Sequence, residues 1–243
     1  VGFSLPLTVF LLVISLLVSV PIVILMGIGY SRRVNTTTKA ASNLYLGLGA
    51  IFPLFLVTAF ARFFLYNTSL IISASTNNLP NWSFPTHIPF IDGLINGNYA
   101  MAGSGILVFI IPLLLMIFFA SVAMLQIYRS GILKSLNQGY LGSASSLGLP
   151  RWLVVRNYLM NKGASEVFRY MPIVMTSILT FDIVVEAIMS YRGIGWVFYE
   201  SLISGSYFGA IFSLFVFGII IILSSLVSGI ARAMLDPEIA GGE

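Results

Sequence analysis

Cysteine is absent from this 243-residue chain and charge is scarce: Asp, Glu, Lys and Arg together make up 8% of the residues, against 58% hydrophobic. Without cysteine there is neither a disulfide nor a thiolate metal site. Histidine occurs once, as His87 in the stretch Asn81-Trp-Ser-Phe-Pro-Thr-His-Ile-Pro. A single imidazole does not build a multi-histidine metal centre, and a surface or loop-packing role is expected of it. Soluble domains carry about 25% charged residues; the low charge here, with a mean hydropathy of +1.00, excludes that class. The phosphate cradle G-x-x-x-x-G-K-S/T is missing too, and the glycines from Gly139 to Gly148 have no lysine placed to reach a phosphate. The chain is therefore not expected to be an enzyme, and no cofactor, metal or nucleic acid is expected to bind it. Any drive for active transport has to come from another chain or from an ion gradient.

What the sequence does contain is apolar runs. A helix needs about 20 mostly apolar residues to cross the hydrocarbon core. Five such runs occur, at Leu5–Tyr30, Leu44–Tyr66, Gly105–Tyr128, Tyr170–Met189 and Tyr207–Met234. They read as helices, because a spanning segment has to satisfy its own backbone hydrogen bonds and none of the runs alternates as a barrel strand does. The expected fold class is all-α: a polytopic transmembrane helix bundle forming a single domain over residues 1–243. Ten of the twelve Lys and Arg residues fall at Arg32, Arg33, Lys39, Arg129, Lys134, Arg151, Arg156, Lys162, Arg169 and Arg232. That bias assigns those segments and the C-terminus to the cytoplasmic side of the cell membrane. Residues 67–104, with Asp92 as their one charge, then form an extracytoplasmic loop, and residues 129–169 a cytoplasmic one. With five spans and a cytoplasmic C-terminus, Val1 begins outside; a chain opening on Val is expected to lack its natural beginning and a leading sixth span.

Charge inside the spans is confined to a few positions. Asp182 and Glu186 lie four residues apart in the fourth run, on one face of its helix. Acids within a membrane span are costly and face a polar cavity or a partner. Three readings stand side by side: a polar lining or gate of a translocation path, a structural ion pair or hydrogen bond with Arg62 or Arg192, and the coupling site of a gradient-driven carrier. Small residues mark expected helix contacts, as Ser224, Ser225, Ser228 and Gly229 in the last run, Gly27 with Gly29, and Gly47 with Gly49. Pro21, Pro53 and Pro112 interrupt the first three runs and are expected to bend them.

The loop from Gln138 to Arg169 reads Gly139-Tyr-Leu-Gly-Ser-Ala-Ser-Ser-Leu-Gly148-Leu-Pro-Arg-Trp and runs on to Met171-Pro172. Small residues allow another surface to approach closely. A short helix, a glycine turn and a second helix would make an elbow there, flanked by basic residues that suit an acidic or hydrogen-bonding groove. An interfacial helix resting on anionic lipid is the other reading.

These residues resemble the inner-membrane permeases of binding-protein-dependent ABC importers of the dipeptide/oligopeptide type. The family's cytoplasmic motif E-A-A-x-x-x-G is matched in place by Ala144-Ser-Ser-Leu-Gly148-Leu149, with Pro172 opening the next span. Val184-Val185-Glu186 followed by Ser190-Tyr-Arg-Gly-Ile-Gly195 is similar to the family's V-V-E and P-G-L-G segment, and Leu235-Asp236-Pro237-Glu238-Ile239 to its L-D-P-R-I ending. The chain departs from the pattern at Gly142, which replaces an acid, and at Ser145 and Leu147, which replace basic residues. The resemblance implies a second homologous permease subunit, two ABC ATPase subunits and an extracytoplasmic solute-binding protein, with no catalytic residue in this chain. It further implies ATPase docking through Ala144, Ser145, Ser146, Gly148 and Leu149, and a path or gate at Asp182 and Glu186. Peptides are the implied cargo; oligosaccharides, carried by relatives of the same build, are the alternative.

Overall fold

The computed structural model describes residues 4–31, 36–51, 53–67, 89–97, 99–137 and 159–235, and all the elements found among them are α-helices. In chain order they are α1 (Leu5–Ser31), α2 (Thr36–Ile51), α3 (Leu54–Asn67), α4 (Pro89–Ile95), α5 (Tyr99–Asn137), α6 (Met160–Arg169), α7 (Met171–Met189), α8 (Ile194–Ile203) and α9 (Tyr207–Leu235). Four of them are long and apolar enough to cross a membrane, within α1, α5, α7 and α9. The second apolar run is two helices, α2 and α3, on either side of Pro53, where a bend is expected from the sequence, and as one broken span the pair makes the fifth. Proline strips one amide from a helix and disfavours helical backbone at the residue before it. At Pro53 the chain starts afresh, the Pro53 carbonyl accepting the first amides of α3 from Leu56 (3.0 Å) and Val57 (3.2 Å). Pro21 and Pro112, by contrast, lie inside the continuous helices α1 and α5.

Contacts divide the chain into two compact units, and α1, α5, α7 and α9 contribute residues to both. The first comprises Val1–Leu16, Phe52–Phe119 and Ile178–Phe217. Its core is built on Leu7, Leu11, Phe109 and Tyr191, flanked by Phe10, Ile91, Leu113 and Met189. Phe109 stands edge-on to both Phe10 (centroids 5.2 Å apart) and Tyr191 (5.7 Å), the arrangement that the ring quadrupoles favour. Helix α4 lies close against the start of α5, where a Cβ on Gly93 would come within 2.6 Å of the Ala102 amide nitrogen.

The second unit comprises Leu17–Ile51, Ala120–Ser177 and Gly218–Glu243, and it is organised around Tyr128. The Tyr128 ring is fully buried and occupies the space that a side chain on either Gly27 of α1 or Gly163 of α6 would need. Gly131 and Gly163 then bring α5 and α6 together, a Cβ on Gly131 meeting the Gly163 Cα at 3.2 Å. Gly49 leaves room in the same way for Val122, and the Ser42 hydroxyl donates to the Met26 carbonyl at 3.1 Å. Tyr128→Phe removes only a hydroxyl that has no hydrogen-bond partner among the described residues, and is expected to leave stability unchanged. Tyr128→Ala opens a hole between two glycines and is expected to cost about 3–5 kcal/mol. Melting of the detergent-solubilised chain separates the two; equal losses would show that the hydroxyl, not the ring, matters.

Within the small-residue stripe of α9, Ser228 is buried and Ser225 is exposed. A Cβ on Gly229 would meet nothing within 4 Å, and the Ser224 and Ser228 hydroxyls donate back to carbonyls of their own helix, Ile221 and Ser225. Of the glycines expected to mark helix contacts, Gly27 and Gly49 do meet another element, at Tyr128 and Val122 of α5, whereas a Cβ on Gly47 would meet nothing within 4 Å.

Candidate functional site

Thr8 sits alone as a hydroxyl in the apolar first turns of α1, and it is fully buried. Glu186, near the end of α7, is fully buried as well. The Thr8 hydroxyl donates to Glu186 Oε1 at 2.8 Å, while Thr8 Oγ1 accepts the Ile194 amide at 2.8 Å. Glu186 Oε2 accepts the Trp196 amide at 3.0 Å. Ile194 and Trp196 are in the first turn of α8, whose amides have no partner within their own helix. One carboxyl and one hydroxyl therefore satisfy exposed helix-end donors and tie α1, α7 and α8 together within the first unit.

Glycine makes this fit possible at two places. A Cβ on Gly193 would overlap the Glu186 carboxyl itself, and a Cβ on Gly195 would lie 2.7 Å from the Ile183 Cα, a backbone atom with no freedom to yield. The turn is held from another direction by Arg62 of α3, which donates to the Ile188 carbonyl and to the Ser190 hydroxyl (2.8 Å). Ser190 has a left-handed backbone, φ 56°, which costs an ordinary residue roughly 1–2 kcal/mol. The Arg62 contacts offset that cost.

Asp182 lies one helical turn before Glu186 and is fully buried, yet neither of its carboxyl oxygens has a hydrogen-bond partner among the described residues. The Tyr191 hydroxyl is likewise buried without one. Burial, and after it the neighbouring Glu186 and Asp182 carboxyls, hold the Tyr191 phenol well above its ordinary value, so it remains a protonated donor at neutral pH. The two acids, which the sequence presents as a pair, thus have different surroundings. Glu186 is engaged by Thr8 and α8, and Asp182 keeps its hydrogen-bonding capacity open.

Arg62 is drawn to the turn instead of to either acid. Thr8, Gly193 and Gly195 complete the site. The glycines stand in the quoted Ser190-to-Gly195 motif, but Thr8 has only the signal of a single hydroxyl among apolar neighbours. Ala144, Ser145, Ser146, Gly148 and Leu149 lie outside the described residues, as do His87 and the ending Asp236 to Ile239. Among the described residues no cluster of three or more His, Cys, Asp or Glu is arranged to hold a metal ion.

Four helices of membrane length among the described residues define a polytopic membrane protein. Residues 2–241 match the family model described as the binding-protein-dependent transport system inner membrane component, and the chain belongs to that family. It is similar to "Probable D,D-dipeptide transport system permease protein DdpB" of Escherichia coli, with 24% identity covering 95% of this chain and 68% of that protein. It is also similar to "Peptide transport system permease protein SapB" of Salmonella typhimurium, with 22% identity covering 92% of this chain and 70% of the relative. "Putrescine export system permease protein SapB" of Escherichia coli is 20% identical over a shorter stretch, 53% of this chain and 40% of that protein.

Proposed function

We propose that this chain is the permease subunit of an ATP-driven, binding-protein-dependent importer and forms part of the translocation path for dipeptides or oligopeptides. The observation that carries the reading is the family match along residues 2–241. The names of the two relatives matched along nine tenths or more of the chain favour peptide over oligosaccharide. A second permease subunit pairs with this one, two ABC ATPase subunits supply hydrolysis, and an extracytoplasmic solute-binding protein delivers cargo. The C-terminus faces the cytoplasm, in keeping with the bias of Lys and Arg.

Ala144, Ser145, Ser146, Gly148 and Leu149 form the docking elbow for an ATPase. Nucleotide on the ATPases shifts the elbow between two positions, because the ATPases bind it with different affinity in the two corresponding states of the complex. Asp182 lines the path or its gate; its open carboxyl oxygens are available to a moving polar group or to water. Glu186 belongs to the same gate as its fastener, fixing the turn between α7 and α8 while Asp182 meets what passes.

The test is copurification. The chain is tagged in its native membrane, solubilised gently, and its stoichiometric partners identified. A sister permease with ABC ATPases is the expected result. A chain that emerges alone or with itself would overturn the reading in favour of a gradient-driven carrier, which the unpartnered Asp182 would then serve as coupling site. Uptake by Asp182→Asn in the same membranes divides these readings again. The importer is expected to keep uptake within about tenfold of the parent, whereas a carrier that couples through this carboxyl loses it altogether.

A further inference from the structure

We infer that Arg62 of α3 is a positioning residue for the turn between α7 and α8: its guanidinium latches the turn in the backbone geometry that seats Glu186, and its release frees the gate. The part played in gating rests on the importer reading given above, whereas the latch rests on geometry. At the end of α7 the Tyr191 amide donates to the Glu186 carbonyl at 2.9 Å, with Ser190 left-handed (φ 56°) between them. A bond of that span around a left-handed residue is the Schellman ending of a helix, and its left-handed position ordinarily belongs to glycine. Glycine adopts that backbone without steric cost, but a Cβ crowds the following carbonyl oxygen. At Ser190 the turn therefore carries a penalty that something outside the helix has to offset.

Arg62 does so from α3. It donates to the Ile188 carbonyl, one of the last four of α7, which find no amide within their own helix. It donates also to the Ser190 hydroxyl at 2.8 Å. A cation at a helix C-terminus meets the negative end of the helix dipole as well. The guanidinium fork thus grips the backbone ahead of the left-handed residue and the side chain of that residue together. Beyond Ser190 the chain has little room to adjust. The Tyr191 ring is buried edge-on to Phe109, Gly193 faces the Glu186 carboxyl with no space for a Cβ, and the Ile194 amide is taken by Thr8 at 2.8 Å. Relaxation at Ser190 has to shift all three. The two holds on the turn differ in kind: Glu186 and Thr8 are buried, whereas Arg62 and Ser190 are exposed. By the charge bias of the sequence this end of α7 lies on the outer side, where exposed groups exchange such bonds for bonds to water at small net cost. An exposed latch can open and close while the buried fastener stands.

Hydrogen–deuterium exchange over residues 186–197 of the full-length chain, solubilised with its copurifying partners, tests the latch. Arg62→Ala is expected to speed exchange there about tenfold, the population equivalent of one left-handed penalty left without its partner. Arg62→Ala/Ser190→Gly is expected to exchange as the parent does, because glycine holds the turn unaided. Ser190→Ala and Ser190→Gly both lose the hydroxyl, yet only the alanine variant is expected to speed exchange; that pair decides the matter if Arg62→Ala melts early. Unchanged exchange in Arg62→Ala, or equal speeding with and without Ser190→Gly, overturns the latch. In the same complex, ATP hydrolysis without solute-binding protein is expected to rise about fivefold in Arg62→Ala, since a gate held less firmly needs less help to open. Ser190→Gly is expected to return it to the parent's rate. Exchange that responds and is rescued while hydrolysis never changes overturns the gating role. Recovery of the chain with no ATPase counts against the importer reading instead, and the exchange result still decides the latch.

Discussion

Glu186→Ala is expected to abolish uptake and to lower the melting temperature of the solubilised chain. The substitution deletes the acceptor of the buried Thr8 hydroxyl and of the part-buried Trp196 amide. Leaving a buried donor unsatisfied costs about 1–3 kcal/mol, and two are orphaned here. Truncation also opens a hole where the side chain fills the space above Gly193 and beneath Gly195. A total of about 3–5 kcal/mol, comparable to breaking a buried network, is the expected scale. Glu186→Gln keeps one carbonyl oxygen but turns an amide NH2 toward the other donor, so it should lie between Ala and the parent. Gly193→Ala reaches the same end without touching the acid, because its methyl overlaps the Glu186 carboxyl. A fall in melting temperature shared by Glu186→Ala and Gly193→Ala, with Gln intermediate, is the signature of a fastener. Uptake at the parent's level and unchanged melting in Glu186→Ala would sink it.

Gly148→Trp is expected to leave membrane insertion intact while uptake falls to background. Insertion is governed by the apolar runs, and residue 148 lies in none of them. Docking is different: the stretch Ala144-Ser-Ser-Leu-Gly148 is built of small residues, and an indole at its glycine would hold a docking surface away by several ångströms. ATPase recovered with the tagged chain should fall in parallel with uptake, and Gly148→Ala, with one methyl, should retain most of both. Normal uptake with a tryptophan at 148 would count decisively against this loop as the coupling elbow. A separate fault in the bundle would instead reduce the amount of chain in the membrane.

Pro53 and the acid pair show how far the sequence is legible, and why it stops where it does. All three interrupting prolines have the same local chemistry, and from the sequence all three are expected to bend their runs. Pro21 and Pro112 stay inside α1 and α5, whereas α2 and α3 part at Pro53. The third span is readable as an apolar run, but its helix continues to Asn137. Hydropathy marks where a helix meets lipid and not where its hydrogen bonds end. Asp182 and Glu186 are equivalent by spacing and helix face. They diverge because the partners of Glu186 arrive from elsewhere, Thr8 from 178 positions away and Trp196 from ten. A small cavity lined by Lys134, Lys162, Arg169 and Arg232 is equally out of the sequence's reach, its cations coming from three helices scattered over residues 134–232.

By itself the sequence determined the class of this protein: an all-helical membrane bundle whose apolar runs and motif order place it among binding-protein-dependent permeases. Such properties are sums over neighbouring residues, transfer energies over a window and spacings along one chain, so they survive without knowledge of distant contacts. Only the tertiary structure decided which acid is fastened and which is open, which glycines are contact points, and where positive charge converges. Each of those depends on short-range forces between groups far apart in the chain, and a hydrogen bond or a steric clash is settled within a few ångströms that only the folded backbone sets.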